Sequence, residues 1–336
     1  MELDPFHLFL IILALLFTLC SAVNCCLAYF SGNASNSWFN HNRQDIANDP
    51  EYDTEITPAN WVHGIWAVIF IWLVLWLVWH LMTICKRRKD LPHGPVSDIL
   101  LAEYNLALSL LNVSYFAYDR KKFVGNLMAL LLTSAIIIIC LTIHIRNALQ
   151  LRREFFQTYR TNFIWNHVLT QNGLTLFATW TGLEVLPSLA VILISQSDAN
   201  QNVACGLSLA VFAFMGCVII IIEYGRYAEH LNYIFTHWCV IIWGLSGSVA
   251  GNSDHTSSGV FITLCLFLGL SVLMFIMKVI LVIQRYTNIR VPARQATVAH
   301  KYPSIQTMRG NNKNVKLRSG LHQTFSQIID DDDILY

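Results

Sequence analysis

The chain predicts an all-α membrane protein of about eight transmembrane helices, and three observations carry that expectation. Apolar residues recur in runs of about 20, the length an α-helix needs to cross a hydrocarbon core of about 30 Å. Hydrophobic residues make up 55% of the 336 and charged residues 13%, with a mean hydropathy of +0.48, more apolar surface than a water-soluble core of this length can hide. The charges are segregated into the short stretches between the runs, where the density of Lys and Arg alternates.

The runs fall at 6–30, 59–84, 98–118, 123–145, 166–195, 203–223, 230–248 and 258–284. In the first, "ALLFTLCSA" resembles the cleavage region of a signal peptide. "MELDPF" lacks the usual positive flank, however, and the apolar run continues to Phe30, which favours a retained helix. Cleavage would leave seven spans and an outside amino terminus, an arrangement that suits a receptor. The second run, "TPANWVHGIWAVIFIWLVLWLVWH" over 57–80, carries five tryptophans. The third is the most polar, interrupted by Asp98, Glu103, Asn105 and Asn112, and the fifth holds Glu184 three residues before Pro187. The sixth and seventh are joined by "EYGRYAEH", where Glu223, Glu229 and His230 cluster and Arg226 is the expected neutraliser. The nine cysteines lie in apolar runs or, for Cys85, against a basic cluster; no CxxC pair points to zinc or redox chemistry.

Orientation follows from the basic loops. "CKRRK", "RNALQLRREFFQTYR", "EYGRYAEH" and the stretch after Arg285 share one side, expected to be cytoplasmic, and "DRKK" at 119–122 is the exception. Both termini are then cytoplasmic. The acidic first loop lies opposite, where the "NAS" sequon at Asn33 is usable as a glycosylation site. From Arg285 to Ile329 the chain carries eight Lys or Arg and no acid, a composition drawn to anionic lipid headgroups, before it ends in "DDDDILY". "YPSI" (Tyr302 to Ile305) has the form of a tyrosine-based sorting signal, and "DDDDIL" with Ile334 and Leu335 that of an acidic dileucine signal. These short motifs make cytoplasmic sorting adaptors candidate partners, and the plasma or endolysosomal membrane the expected address rather than the mitochondrion.

The Pro-x-x-Trp start and Gly-x-x-Trp step of "TPANWVHGIWAVIF" resemble the corresponding helix of the translocator protein family, also called TspO or tryptophan-rich sensory proteins. "LALSLLNVSYFAYD" is similar to that family's Leu-Asn-aromatic segment, with Asn112 at its asparagine and Tyr115 where a tryptophan is usual. "NGLTLFATWTGLEVLPSLAVI" is similar to its last helix, with Trp180 at the tryptophan after a Pro-Tyr pair. "YIFTHWCVIIWGLSG" looks like the extra helices of the longer members. The departures are Leu176 and Phe177 for that Pro-Tyr pair, Val113 for a tryptophan, Glu184 for a small residue, and Pro187 and Ser188 for Leu-Asn. The resemblance implies a TspO-like five-helix core over 1–195, with a lumenal or extracellular loop at 31–58. Three additional helices follow over 196–285, and the basic composition after them predicts a cytoplasmic, disordered tail over 286–336. Its relatives hold porphyrins, sterols or synthetic aromatic ligands inside the bundle, so a bound porphyrin, haem or sterol is the implied guest.

An indole can serve at the membrane interface, in helix packing, or as the wall of a pocket for a flat ligand. Trp61 and Trp79 lie near the predicted boundaries; Trp66, Trp72 and Trp76 lie deeper, and the four-residue spacing of the last two puts them on one face. The expected ligand-binding set is therefore Trp61, Trp66, Trp72, Trp76, Asn112, Tyr115, Phe177, Trp180 and Glu184. Glu184 is the most demanding member, because an ionisable group in mid-span is costly unless neutralised, paired or wetted. Asn60 and His63, at the outer mouth of the second helix, read as hydrated groups within reach of a porphyrin carboxylate. Asn172 and Gln171 read as interhelical hydrogen-bonding residues.

No nucleotide-binding loop, nucleophile elbow, HExxH or EF-hand is present, so no catalytic or metal site is expected. A net charge of +1 gives no basis for nucleic-acid binding. The expected function is binding of a hydrophobic planar molecule, as sensor or carrier, with membrane lipids and a second copy of the chain as further candidate partners. The alternatives are a proton-coupled transporter or receptor using the same cavity, and a scaffold working through its tail.

Overall fold

A computed structural model describes residues 5–30, 52, 54–85, 96–150, 165, 167–197, 199–225, 231, 234–255 and 259–301, with the side chains of 30, 84, 85, 149, 150, 167, 255 and 285–301 excepted. Among the described residues the regular structure is helical, as a chain inside hydrocarbon requires, because a helix bonds its own backbone groups. The helices are α1 (Pro5–Phe30), α2 (Ile65–Cys85), α3 (Asp98–Asp119), α4 (Phe123–Gln150), α5 (Asn172–Ser197), α6 (Gln201–Tyr224), α7 (Thr236–Gly251) and α8 (Gly259–Lys301). Short 3-10 turns at Asn60–Gly64 and Ser253–His255 and a π turn at His167–Gln171 complete the order. Among the described residues seven helical segments are long and apolar enough to cross a membrane, so the protein is an all-α membrane protein.

The helix that falls short is α7. Its 16 residues rise about 24 Å, less than the core thickness, and it occupies 236–251 rather than the expected 230–248. Its start is set by α5: the side-chain oxygen of Asn172 accepts from the Phe235 backbone N–H at 3.1 Å, and the Thr236 hydroxyl donates to the Asn172 carbonyl at 2.9 Å. Asn172 thus makes the interhelical bonds its sequence position suggested. The last helix continues to Lys301, past residue 285 where the tail was expected to begin. The chain divides into two units, residues 1–282 and 283–336.

In the first unit α3 packs with α1 and α4, α1 also packs with α2, and α5 packs with α2, α4, α6 and α7. This central place explains its composition. Gly173, Thr175, Ala178, Thr181, Gly182, Ser188 and Ala190 are buried along it, small residues that let neighbouring helices approach. At Gly173 an added Cβ would stand 2.7 Å from Trp72 Cδ1, so the glycine admits that ring, whose N–H donates to the Leu169 carbonyl at 3.0 Å. The apolar interior has a larger cluster from α1 to α5, including Trp66, Trp76 and Trp180, and a smaller one joining α5 to α6, α7 and α8 through Leu186, Leu209, Ile241 and Leu264.

Before α2, the segment 54–63 forms a strap against α7. Ala59 N–H donates to the Gly247 carbonyl at 3.0 Å, Ser248 Oγ to the Ile56 carbonyl at 3.1 Å, Asn252 Nδ2 to the Thr57 carbonyl at 3.1 Å, and Trp243 Nε1 to the Val62 carbonyl at 2.9 Å. Gly247 and Gly251 make this contact possible: a Cβ at Gly247 would lie 1.8 Å from Val62, and one at Gly251 2.8 Å from the Thr57 carbonyl.

Candidate functional site

Glu184 lies on α5 one turn beyond Trp180, and its side chain is buried. Three donors meet one of its oxygens: the Tyr29 hydroxyl at the end of α1 at 2.7 Å, the Trp66 indole of α2 at 3.0 Å, and the Trp180 indole at 3.1 Å. His63 Nδ1 stands 3.9 Å from the same oxygen, its ring 4.4 Å from that of Tyr29 and tilted by 34°. A carboxyl group in hydrocarbon would cost several kcal/mol, and hydrogen bonds to such a group return about 1.5–3 kcal/mol each if it is charged. The donors come from three helices, so the acid ties α1, α2 and α5 together.

Next to Glu184 is a cavity. Its walls are Tyr29, Trp180, Glu184, Pro187 and Ser188, with Tyr118 from α3, Leu209 from α6, Gly244, Leu245 and Ser248 from α7 and Leu264 from α8. Its roof is the strap, through Ile56, Thr57, Pro58, Asn60 and His63, with Tyr52 beside it. The space open to the centre of a water molecule is about 80 Å³, room for several waters at roughly 10–15 Å³ each or for a small ring. A tetrapyrrole or sterol would enter only with movement of the lining. Pro187 has no N–H for the Leu183 carbonyl one turn back, and Ser188 beside it donates to the Glu184 carbonyl at 2.9 Å and accepts from Asn126 at 3.0 Å.

Of the nine expected ligand-binding residues, Trp180 and Glu184 line the cavity. Trp66 reaches it through its bond to Glu184, and its ring stacks on Phe70 and meets Tyr115 and Phe177 edge-on. Tyr115 and Phe177 are fully buried around that indole. The other four lie elsewhere. Trp61 is exposed and edge-on to Trp243 at 4.9 Å. Trp72 closes on the π turn. Trp76 is buried, edge-on to Tyr104 at 5.2 Å. Asn112 donates to Ser21 at 2.9 Å and accepts from Asn24 at 2.8 Å, bracing α1 against α3. Trp72 and Trp76, expected on one face, thus serve two different contacts.

Asn60 and His63 change role. The expectation was hydration at an outer mouth; in the structure both line the cavity, and the His63 side chain is 13% exposed, held between Tyr29 and the acid. Tyr29 and Tyr118 carried no signal as single residues. Only the Pro58 start of the second span marked the strap. Asn33, Tyr302, Ile305, Ile334 and Leu335 lie outside the described residues.

A second buried polar cluster sits at the other end of α6. Glu223 accepts from Lys278 of α8 and from the Trp238 indole at 2.8 Å, with His237 Nε2 at 3.3 Å. Lys278 also donates to the Leu231 carbonyl at 2.8 Å. Arg226, the expected neutraliser, lies outside the described residues; Lys278, hidden in an apolar span, takes that role. A third group joins α1, α2 and α3, where His7 pairs with Asp98 and its Nε2 meets His80 Nε2 at 3.2 Å. Among the described residues no cluster of three or more His, Cys, Asp or Glu is arranged to hold a metal ion. Compared with protein-family models, curated proteins and solved structures, the chain matches none of them.

Proposed function

We propose that this protein binds a flat, hydrophobic small molecule in the cavity beside Glu184, within a TspO-like arrangement of α1 to α5 that α6, α7 and α8 extend. The observation that carries this reading is a cavity with aromatic and aliphatic walls and one buried acid oriented by three donors. Binding sites for small molecules have this character, apolar surface for affinity and a few placed polar groups for orientation. On this reading the protein is a sensor or carrier in a plasma or endolysosomal membrane rather than an enzyme, with both termini cytoplasmic and the strap on the opposite side. A ring of one or two fused cycles fits the cavity as it stands; a porphyrin or sterol requires the strap to lift.

The test is a fluorescence titration of the purified full-length chain with naphthalene, a sterol and protoporphyrin. Saturable quenching of tryptophan emission is expected for at least one, weakened about threefold to tenfold by Trp180→Phe, which removes an indole from the wall. Absence of saturable quenching by all three defeats the proposal.

A second reading, proton-coupled transport, draws on Glu184 and Pro187 lining the same cavity one turn apart in α5. An acid beside a helix break combines a proton acceptor with a place for the helix to bend. Uptake by reconstituted vesicles that is unchanged in Glu184→Gln would dispose of it.

A further inference from the structure

The short helix α7 is held at both ends and lines the cavity between them. At its start, Glu223 of α6 accepts from the Trp238 indole at 2.8 Å and has His237 Nε2 at 3.3 Å. Lys278 of α8 pairs with the same carboxyl, donates to the Leu231 carbonyl at 2.8 Å, and stands 5.8 Å from the centroid of the Phe235 ring just before α7. At its far end Trp243, Gly247, Ser248 and Asn252 carry the strap through hydrogen bonds of 2.9 to 3.1 Å. Between the two ends Gly244, Leu245 and Ser248 form cavity wall. A Cβ at Gly244 would stand 2.9 Å from Leu183 Cδ1 and 3.6 Å from Trp180 Cζ3, so the helix also sits close against α5. From His237 to Gly247 is about 15 Å of one continuous helix.

Stability alone does not account for the ion pair at the start of this helix. Apolar residues of similar volume often hold a buried contact as well or better, whereas a pair that loses one partner leaves a charge stranded at much greater cost. Such a contact is either closed or broken, with little between. We propose that Glu223 and Lys278 form a latch on α7: closed, it fixes the helix and keeps the strap seated over the cavity; open, it lets α7 shift and the strap unseat. A shift of about 1 Å is enough, because hydrogen bonds of the strap's length are lost beyond about 3.5 Å. The inference rests on the binding reading above for its consequence, that the latch sets how firmly the cavity holds a ligand. Glu223 and Lys278 touch no ligand themselves; they are positioning residues acting through α7.

Hydrogen exchange of the full-length chain in nanodiscs, read by mass spectrometry without ligand, tests the latch. The variant Glu223→Leu with Lys278→Met replaces the pair by apolar side chains and strands no charge. Exchange of strap peptides over 54–63 is expected to rise about tenfold or more, while peptides over 100–115 of α3, remote from α7, keep their native rates. Trp238→Phe removes one donor from α7 to Glu223 and leaves the ion pair in place; it should raise strap exchange about twofold to fivefold, and it decides alone if the double variant does not fold. Native exchange at the strap in these variants, or a rise shared equally by α3, overturns the latch. Naphthalene binding, measured by equilibrium dialysis against empty nanodiscs, then separates the two readings. Weaker binding in the latch variants supports both. If the strap loosens but the native chain takes up no naphthalene, the latch stands and the binding reading loses its support; if naphthalene binds and the strap is indifferent, the latch falls and the binding reading stands.

Discussion

Substituting alanine for Gly247 tests the strap that roofs the cavity. The added Cβ would lie 1.8 Å from Val62 Cγ2, 3.0 Å from its Cβ and 3.1 Å from its Cγ1, and Val62 is fully buried. Carbon atoms prefer about 3.5–4.0 Å, so Val62 must retreat by about 2 Å or α7 must swing away. Overpacking of this kind costs about 1–3 kcal/mol. The Ala59 to Gly247 and Trp243 to Val62 bonds lie at the same contact, and each adds about 1 kcal/mol if stretched. The expected destabilisation is about 3–5 kcal/mol, read as a lower melting temperature of the purified chain, with weaker ligand binding because five cavity-lining residues sit on the strap. Val62→Ala removes both offending methyl groups, so the double variant should be more stable than the sum of the single effects by at least about 1 kcal/mol. Wild-type stability in Gly247→Ala, or strict additivity in the pair, would refute the claim that strap and helix touch here.

Other substitutions probe the buried polar groups. Glu184→Leu deprives Tyr29, Trp66 and Trp180 of their acceptor at about 1–3 kcal/mol for each donor left buried, so its melting temperature should fall well below that of Glu184→Gln, which keeps an acceptor oxygen; equal values would argue against the three-donor arrangement. Lys278→Met leaves Glu223 without its ammonium and should cost about 3–5 kcal/mol, much of it recovered by adding Glu223→Gln; thermal unfolding of the single and double variants decides. Asn112→Leu should lose about 1 kcal/mol through the Ser21 and Asn24 bonds and leave ligand affinity unchanged, measured by the same unfolding and quenching assays.

Much of the architecture was legible in one dimension. Pro58 and the tryptophan-rich run placed the start of the second span, and the polar interruptions of the third did not prevent it from forming a helix from Asp98 to Asp119. Glu184 stood out because an acid in mid-span requires partners. The partners themselves were not legible: Tyr29 is 155 residues away along the chain and Trp66 is 118. The separate contacts of the α2 tryptophans were not legible for a related reason. Its surface is apolar all round, so no stripe of hydropathy distinguishes the face that carries Trp66 from those of Trp72 and Trp76. Lys278 was missed because one cation in a long apolar run reads as a tolerated exception until Glu223 is seen against it.

The sequence by itself determined that this chain crosses a membrane as helices, and nearly where they begin and end, the start of α7 and the end of α8 excepted. A bilayer imposes that outcome locally, since each apolar run must satisfy its backbone within itself. Only the tertiary structure decided which faces meet, that a strap seated on Gly247 and Gly251 roofs the cavity, and that Trp180 and Glu184 rather than Trp72 and Trp76 line it. The reason is that lipid is as apolar as leucine. With no hydropathy difference between a helix face in lipid and one in the bundle, pairing rests on shape, small residues and buried hydrogen bonds, all of which join residues far apart in sequence.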